Sequence, residues 1–143
     1  MDSKVYAKLL NDSTSEEQKL YREGMDLFLG ITRPKDTLKA LEMLYKASDL
    51  GYIPAILRYH AYCGISLRAK ADILLAKGAE MGDPICCYIY ATICKESARK
   101  SDQYILEMYD IAKKSGFDVN DDMFDIIQSL PPDLKKQWSI LQV

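Results

Sequence analysis

The phrase KASDLGYIPA at positions 46–55 returns as KGAEMGDPIC at 77–86, displaced by 31 residues. Lys46, Ala47, Gly51 and Ala55 fall on Lys77, Gly78, Gly82 and Cys86. A fixed stride of this length points to stacked units, each too small to bury its apolar face alone. A third, degenerate copy, IAKKSGF at 111–117, keeps Ala112 and Gly116, 34 residues beyond Gly78 and Gly82. Asn120 then stands where Ala55 and Cys86 stood.

The units are expected to be helical. Leu38, Leu41, Leu44, Tyr45 and Ser48 recur on one stripe, the i, i+3, i+4, i+7 spacing of an amphipathic helix. The most strand-like stretch, CYIYATI at 87–93, follows Asp83 and Pro84, which read as an N-cap and a first helical position, so it too is assigned to a helix. Thr14 with Glu17 reads as a capping box opening a helix that Gly30 ends. Pro34 and Asp36 open a second, ended by Gly51, and Pro54 a third, ended by Gly64. A fourth is expected over 67–81 before Gly82, and a fifth over 84–97. Ser101 caps a sixth, with Lys113 and Lys114 near its negative end and Gly116 closing it. Asn120, Asp121 and Asp122 begin a seventh, Pro131–Pro132 break it, and an eighth carries Trp138. Residues 2–10 are expected to add a short helix. The expected fold class is all-α: one domain over 1–143, built of antiparallel helical hairpins at 15–50, 53–82 and 84–116 and a closing pair at 120–141.

The stretch GMDLFLGITRPKDTLKALEMLYKASDLGYIPA, residues 24–55, resembles a Sel1-like repeat, a relative of the tetratricopeptide repeat, at Gly24, Phe28, Gly30, Asp36, Ala40, Ala47, Gly51 and Ala55. A second unit matches at Gly64, Ala71, Gly78, Gly82 and Cys86 with a shorter loop between its helices, and the likeness covers roughly residues 20 to 95. The resemblance implies a right-handed superhelical stack of hairpins, an α-solenoid, and work in scaffolding or assembling protein complexes. Elementary physics agrees with the small residues. Glycine inside a helix costs about 1 kcal/mol relative to alanine, which Gly24 and Gly78 justify if another helix crosses closely there. Ala40, Ala47 and Ala71 serve the same approach, while Gly51, Gly82 and Gly116 are expected at positive φ just past helix ends.

Function is narrowed first by exclusion. The net charge is −2 with no basic stripe, which does not suit nucleic acid, since that binding needs Lys and Arg to displace counterions. No apolar run has the length of a membrane span, and MDSKVYAKLL lacks the order of a secretory signal, so a cytoplasmic protein is expected. Cys63, Cys86, Cys87 and Cys94 include no C-x-x-C pair and are expected to act as small apolar residues. His60 is the only histidine, so a hydrolase would need a site around His60 and Cys63; a zinc site would need these plus ligands such as Cys86 or Cys94. The simpler reading is a partly exposed histidine beside a core thiol. DVNDD at 118–122 opens like a calcium loop, but Met123 and Ser129 occupy the places of its Gly and Glu. No catalytic site, metal or cofactor is expected, and the chain reads as a non-enzyme.

Tyrosine and arginine remain. In stacked hairpins the first helix of each pair lines the concave face, and Tyr21, Arg22, Arg58, Tyr59, Tyr62 and Tyr88 fall on such helices. These residue types bury much area and also hydrogen-bond, which makes them efficient contact residues. They equally suit an inter-helix core, and the sequence leaves the two readings open. The expected function is an adaptor or scaffold that holds a peptide or partner helix in its groove. The alternative is a structural subunit that self-associates end to end.

Overall fold

A computed structural model describes residues 2–114, 121–130 and 132. The fold is all-α, with eight helices and no strand among the described residues. In chain order they are α1 (Ser3–Asn11), α2 (Glu16–Leu29), α3 (Thr37–Asp49), α4 (Ile53–Tyr62), α5 (Arg68–Glu80), α6 (Pro84–Ser97), α7 (Asp102–Lys114) and α8 (Asp121–Gln128). Residues 87–93 are helical throughout. The chain divides into two compact units, Met1–Ala71 and Asp72–Val143.

In the first unit α2 packs on α3 and α3 on α4. Helix α2 starts one residue later than its expected capping box. Ser15 is the N-cap and accepts from the Gln18 N–H at 3.2 Å, while Gln18 Oε1 accepts from the Thr14 N–H at 2.9 Å. The spacing Ser15–Gln18 satisfies two free donors reciprocally, which leaves Glu17 inside the first turn as a charge that favours the helix dipole. Gly24 sits where α3 crosses: a Cβ there would lie 3.2 Å from Leu44 Cγ and 3.3 Å from the Ala40 carbonyl oxygen. Leu44 and Ala40 are fully buried, so neither has room to move aside. Helix α1 is held to α2 by polar contacts. The Tyr6 hydroxyl donates to the Arg22 carbonyl at 2.6 Å, and Arg22 Nη1 donates to the Leu9 carbonyl at 2.7 Å.

The connection from α2 to α3 is organised by Asp26, whose side chain is fully buried. Its Oδ1 accepts from the Thr32 N–H at 2.7 Å, and its Oδ2 accepts from the Thr32 hydroxyl and from Arg33 Nε at 3.1 Å. Burial pushes this carboxyl up, but the Thr32 hydrogen bonds and the Arg33 guanidinium outweigh it and hold Asp26 below its ordinary value. Gly30 ends α2 in the left-handed region at φ 66°.

The two copies of the repeated phrase fold into the same turn. After α3 the Tyr52 N–H reaches the Ala47 carbonyl at 3.1 Å and the Gly51 N–H reaches Ser48 at 2.9 Å. After α5 the Asp83 N–H reaches Gly78 at 3.2 Å and the Gly82 N–H reaches Ala79 at 3.0 Å. Both are Schellman closures around a glycine with φ of 90° or 86°, a conformation that strains any residue bearing a Cβ. Gly116, in the third copy, lies outside the described residues, as do Asn120, Pro131 and Trp138.

In the second unit α6 packs on α7. Asp83 caps α6 by accepting from the Cys86 N–H at 2.9 Å, with Pro84 as the first helical residue. Helix α6 ends at Ala98, which takes φ 54° without being glycine. The next residue, Arg99, makes a 3.0 Å ion pair with Asp72. Ser101 caps α7 by accepting from the Tyr104 N–H at 3.3 Å. Leu75, Ile85, Cys86, Cys87, Ala91, Cys94 and Ile127 are fully buried in this unit.

Candidate functional site

Of the six proposed contact residues, three are enclosed. Tyr21, Arg22 and Tyr59 are 3%, 4% and 2% exposed. Tyr21 meets Tyr52 edge to face at 5.5 Å, and Tyr59 meets Tyr45 in the same way at 5.5 Å. Arg22 is spent on the carbonyl of Leu9 and gives no charge to the surface. These residues pack the first unit, and Tyr59 also lines a cavity between α3 and α4. Tyr88 is half-buried in the second unit, edge to face with Tyr109 at 5.5 Å. Gly24, Ala40, Ala47, Ala55, Ala71 and Gly78 are buried in helices, and Gly30, Gly51 and Gly82 lie at positive φ.

Arg58 and Tyr62, one turn apart on α4, are half-buried and lie together. Arg58 Nη1 donates to the Tyr62 hydroxyl at 3.0 Å, and its guanidinium carbon is 5.9 Å from the Tyr62 ring centre. Tyr62 also stacks on Phe28 of α2, the ring centres 4.2 Å apart and the planes 9° from parallel. Phe28 lies two turns on from Tyr21, and Gln18 Nε2 donates to the Tyr52 hydroxyl at 3.2 Å. A strip of polar and aromatic groups therefore runs along the α2 and α4 side of the first unit. Phe28 was legible only as a repeat position, and Gln18 and Tyr52 carried no contact signal in the sequence.

The electrostatics of the strip centre on Arg58. Among the described residues no carboxylate pairs with it, and its Nε is buried without a hydrogen-bond partner. Burial works against its charge, but Tyr21 and Tyr62 more than offset that, and its pKa is held above the ordinary value. A half-buried cation with no carboxylate partner among the described residues is an uncommon state, because burying a charge is costly unless it is paired.

A second feature of the first unit is a cavity of about 380 Å³ between α3, α4 and the first turn of α5. Leu38, Leu41 and Tyr45 form its apolar wall, with Glu42, Lys46 and Lys70 as its charged groups. Lys70 Nζ lies 4.7 Å from the Tyr45 ring centre.

The remaining chemistry is muted. His60 lies beside Arg68, whose Nη1 donates to the His60 carbonyl at 3.1 Å and is 3.3 Å from each ring nitrogen. The Cys63 thiol donates to the backbone carbonyls of His60 and Gly64 at 3.6 and 3.3 Å. Burial and the neighbouring Asp83 carboxylate push the Cys86 thiol well up and the Cys87 thiol to about 11, so neither is a thiolate at neutral pH. Among the described residues no group of three His, Cys, Asp or Glu stands close enough to hold a metal ion, and no helix is long and apolar enough to cross a membrane. Comparison of the chain with protein-family models, with curated proteins and with solved structures finds no match.

Proposed function

We propose that this chain is a protein-interaction module of the Sel1-like kind, an α-solenoid of stacked hairpins. The strip formed by Phe28, Tyr62 and Arg58 receives an extended, acidic segment of a partner protein. The observation that carries this reading is the half-buried Arg58 guanidinium, which has no carboxylate partner among the described residues. A carboxylate from a partner would supply that counter-charge at the terminal nitrogens of the guanidinium, whose planar, paired donors suit a carboxylate better than the single ammonium of lysine. The flat Phe28–Tyr62 pair beside it would take the adjoining apolar side chain. Support for the stack comes from Gly24, whose missing Cβ leaves room for α3, and from the matching Schellman turns at Gly51 and Gly82.

The test is a display library of extended acidic peptides selected on the full chain. Arg58→Met keeps most of the volume and removes the charge; it should weaken the selected peptides at least tenfold while leaving the thermal midpoint nearly unchanged. Arg58→Lys should recover only part of the loss. Peptides that bind the Arg58→Met chain as well as the original would place the contact elsewhere.

A further inference from the structure

The cavity between α3, α4 and the first turn of α5 faces away from any role given so far, and its chemistry differs from that of the Arg58 strip. Its volume, about 380 Å³, is more than twice that of a cavity known to hold one benzene ring, about 150 Å³. Two bulky side chains fit it better than one. Leu38 stands at this wall 78% exposed, a large apolar surface left uncovered. Two ammonium groups border it. Neither Lys46 nor Lys70 makes an ion pair with a carboxylate among the described residues, although Glu42 is one turn from Lys46. Lys70 is held over the Tyr45 ring, so its charge is placed at the apolar wall rather than spread through solvent.

We infer that this cavity is a second docking site, occupied by a helix of a partner protein. That helix presents two apolar side chains three or four positions apart, with an Asp or Glu one turn away. Side chains at that spacing lie about 5–6 Å apart on one helix face, a pair compact enough to enter a single cavity. The acid meets Lys46 and Lys70, and the Glu42 carboxylate, one turn before Lys46 on α3, repels it, which biases the direction in which the helix lies.

A library of helical peptides displayed on a rigid scaffold and selected on the full chain tests this. Enriched peptides should carry the apolar pair with an acid one turn away. Their affinity should fall at least tenfold on the double variant Lys46→Glu, Lys70→Glu and several-fold on Leu38→Ser, and should be unchanged on Arg58→Met. Lys46, Lys70 and Leu38 are exposed, so circular dichroism and thermal unfolding of their variants should match the original chain. Failure to enrich any peptide overturns the inference, as does enrichment without the acid or binding that survives both lysine reversals. Two controls name the other occupants: saturable binding of decanoate with no peptide enriched, or self-association in sedimentation that the lysine reversals abolish, would each assign the cavity elsewhere. Loss of acidic extended peptides on Arg58→Met is read independently and speaks only to the first site.

Discussion

The hairpins α2–α3 and α6–α7 close their turns in opposite ways. The first has a longer connection, 30–36, and fills it from within: a glycine takes the left-handed position, and the buried Asp26 collects the backbone and hydroxyl of Thr32 and the side chain of Arg33. The second has a short connection, 98–101, puts alanine in the left-handed position and fastens the turn to another helix, from Arg99 to Asp72 on α5. One turn is stabilised by a buried anion whose hydrogen bonds are met locally. The other tolerates backbone strain and relies on one ion pair, in which the Asp72 side chain is nearly buried and the Arg99 side chain is 48% exposed.

That contrast can be broken in three places. Asp26→Ala should cost the most, about 3 kcal/mol in chemical denaturation, because it strands the Thr32 N–H and removes the partner of Arg33. The same site sets an acid dependence. The Asp26 pKa is lower in the folded chain than its ordinary value of 3.8, so its contribution is present above about pH 3.8 and is lost as pH falls through the lowered folded value. Asp26→Asn should flatten that part of the acid unfolding curve; an unchanged curve would show that the carboxylate does not govern the turn. Ala98→Gly should stabilise by about 1 kcal/mol, the relief of left-handed strain exceeding the entropy that glycine adds to the unfolded chain. A drop in the thermal midpoint would mean that the Ala98 methyl packs usefully. Arg99→Ala should cost about 1 kcal/mol, less than Asp26→Ala, because water screens the half-exposed Arg99 but not the nearly buried Asp72. A loss as large as that of Asp26→Ala would erase the distinction between the two turns.

What the residues announced in advance follows from what each needs locally. Gly51 and Gly82 marked helix ends because the left-handed closure favours glycine, and Asp83–Pro84 marked a start because both act within one turn. Gly24 was legible for the opposite reason: glycine inside a helix is unfavourable unless something crosses it, and Leu44 does. Ala98 gave no such notice, since alanine is the best helix former and its left-handed conformation is imposed by the surroundings. Asp26 looked like an ordinary helical acid; only the fold brings Thr32 and Arg33 onto it. The tyrosines divided for a similar reason. Tyr59 and Tyr62 lie on the same short helix, and whether a ring faces Tyr45 or Phe28 depends on helices distant in sequence.

Four thiols are sealed in this fold, Cys63 in the first unit and Cys86, Cys87 and Cys94 in the second, none more than 5% exposed. Each can be alkylated only when the helices around it part, so the chain carries its own clock for internal motion. Mass spectrometry of the tryptic fragments would time the two halves separately, without any substitution, and show which of them breathes first.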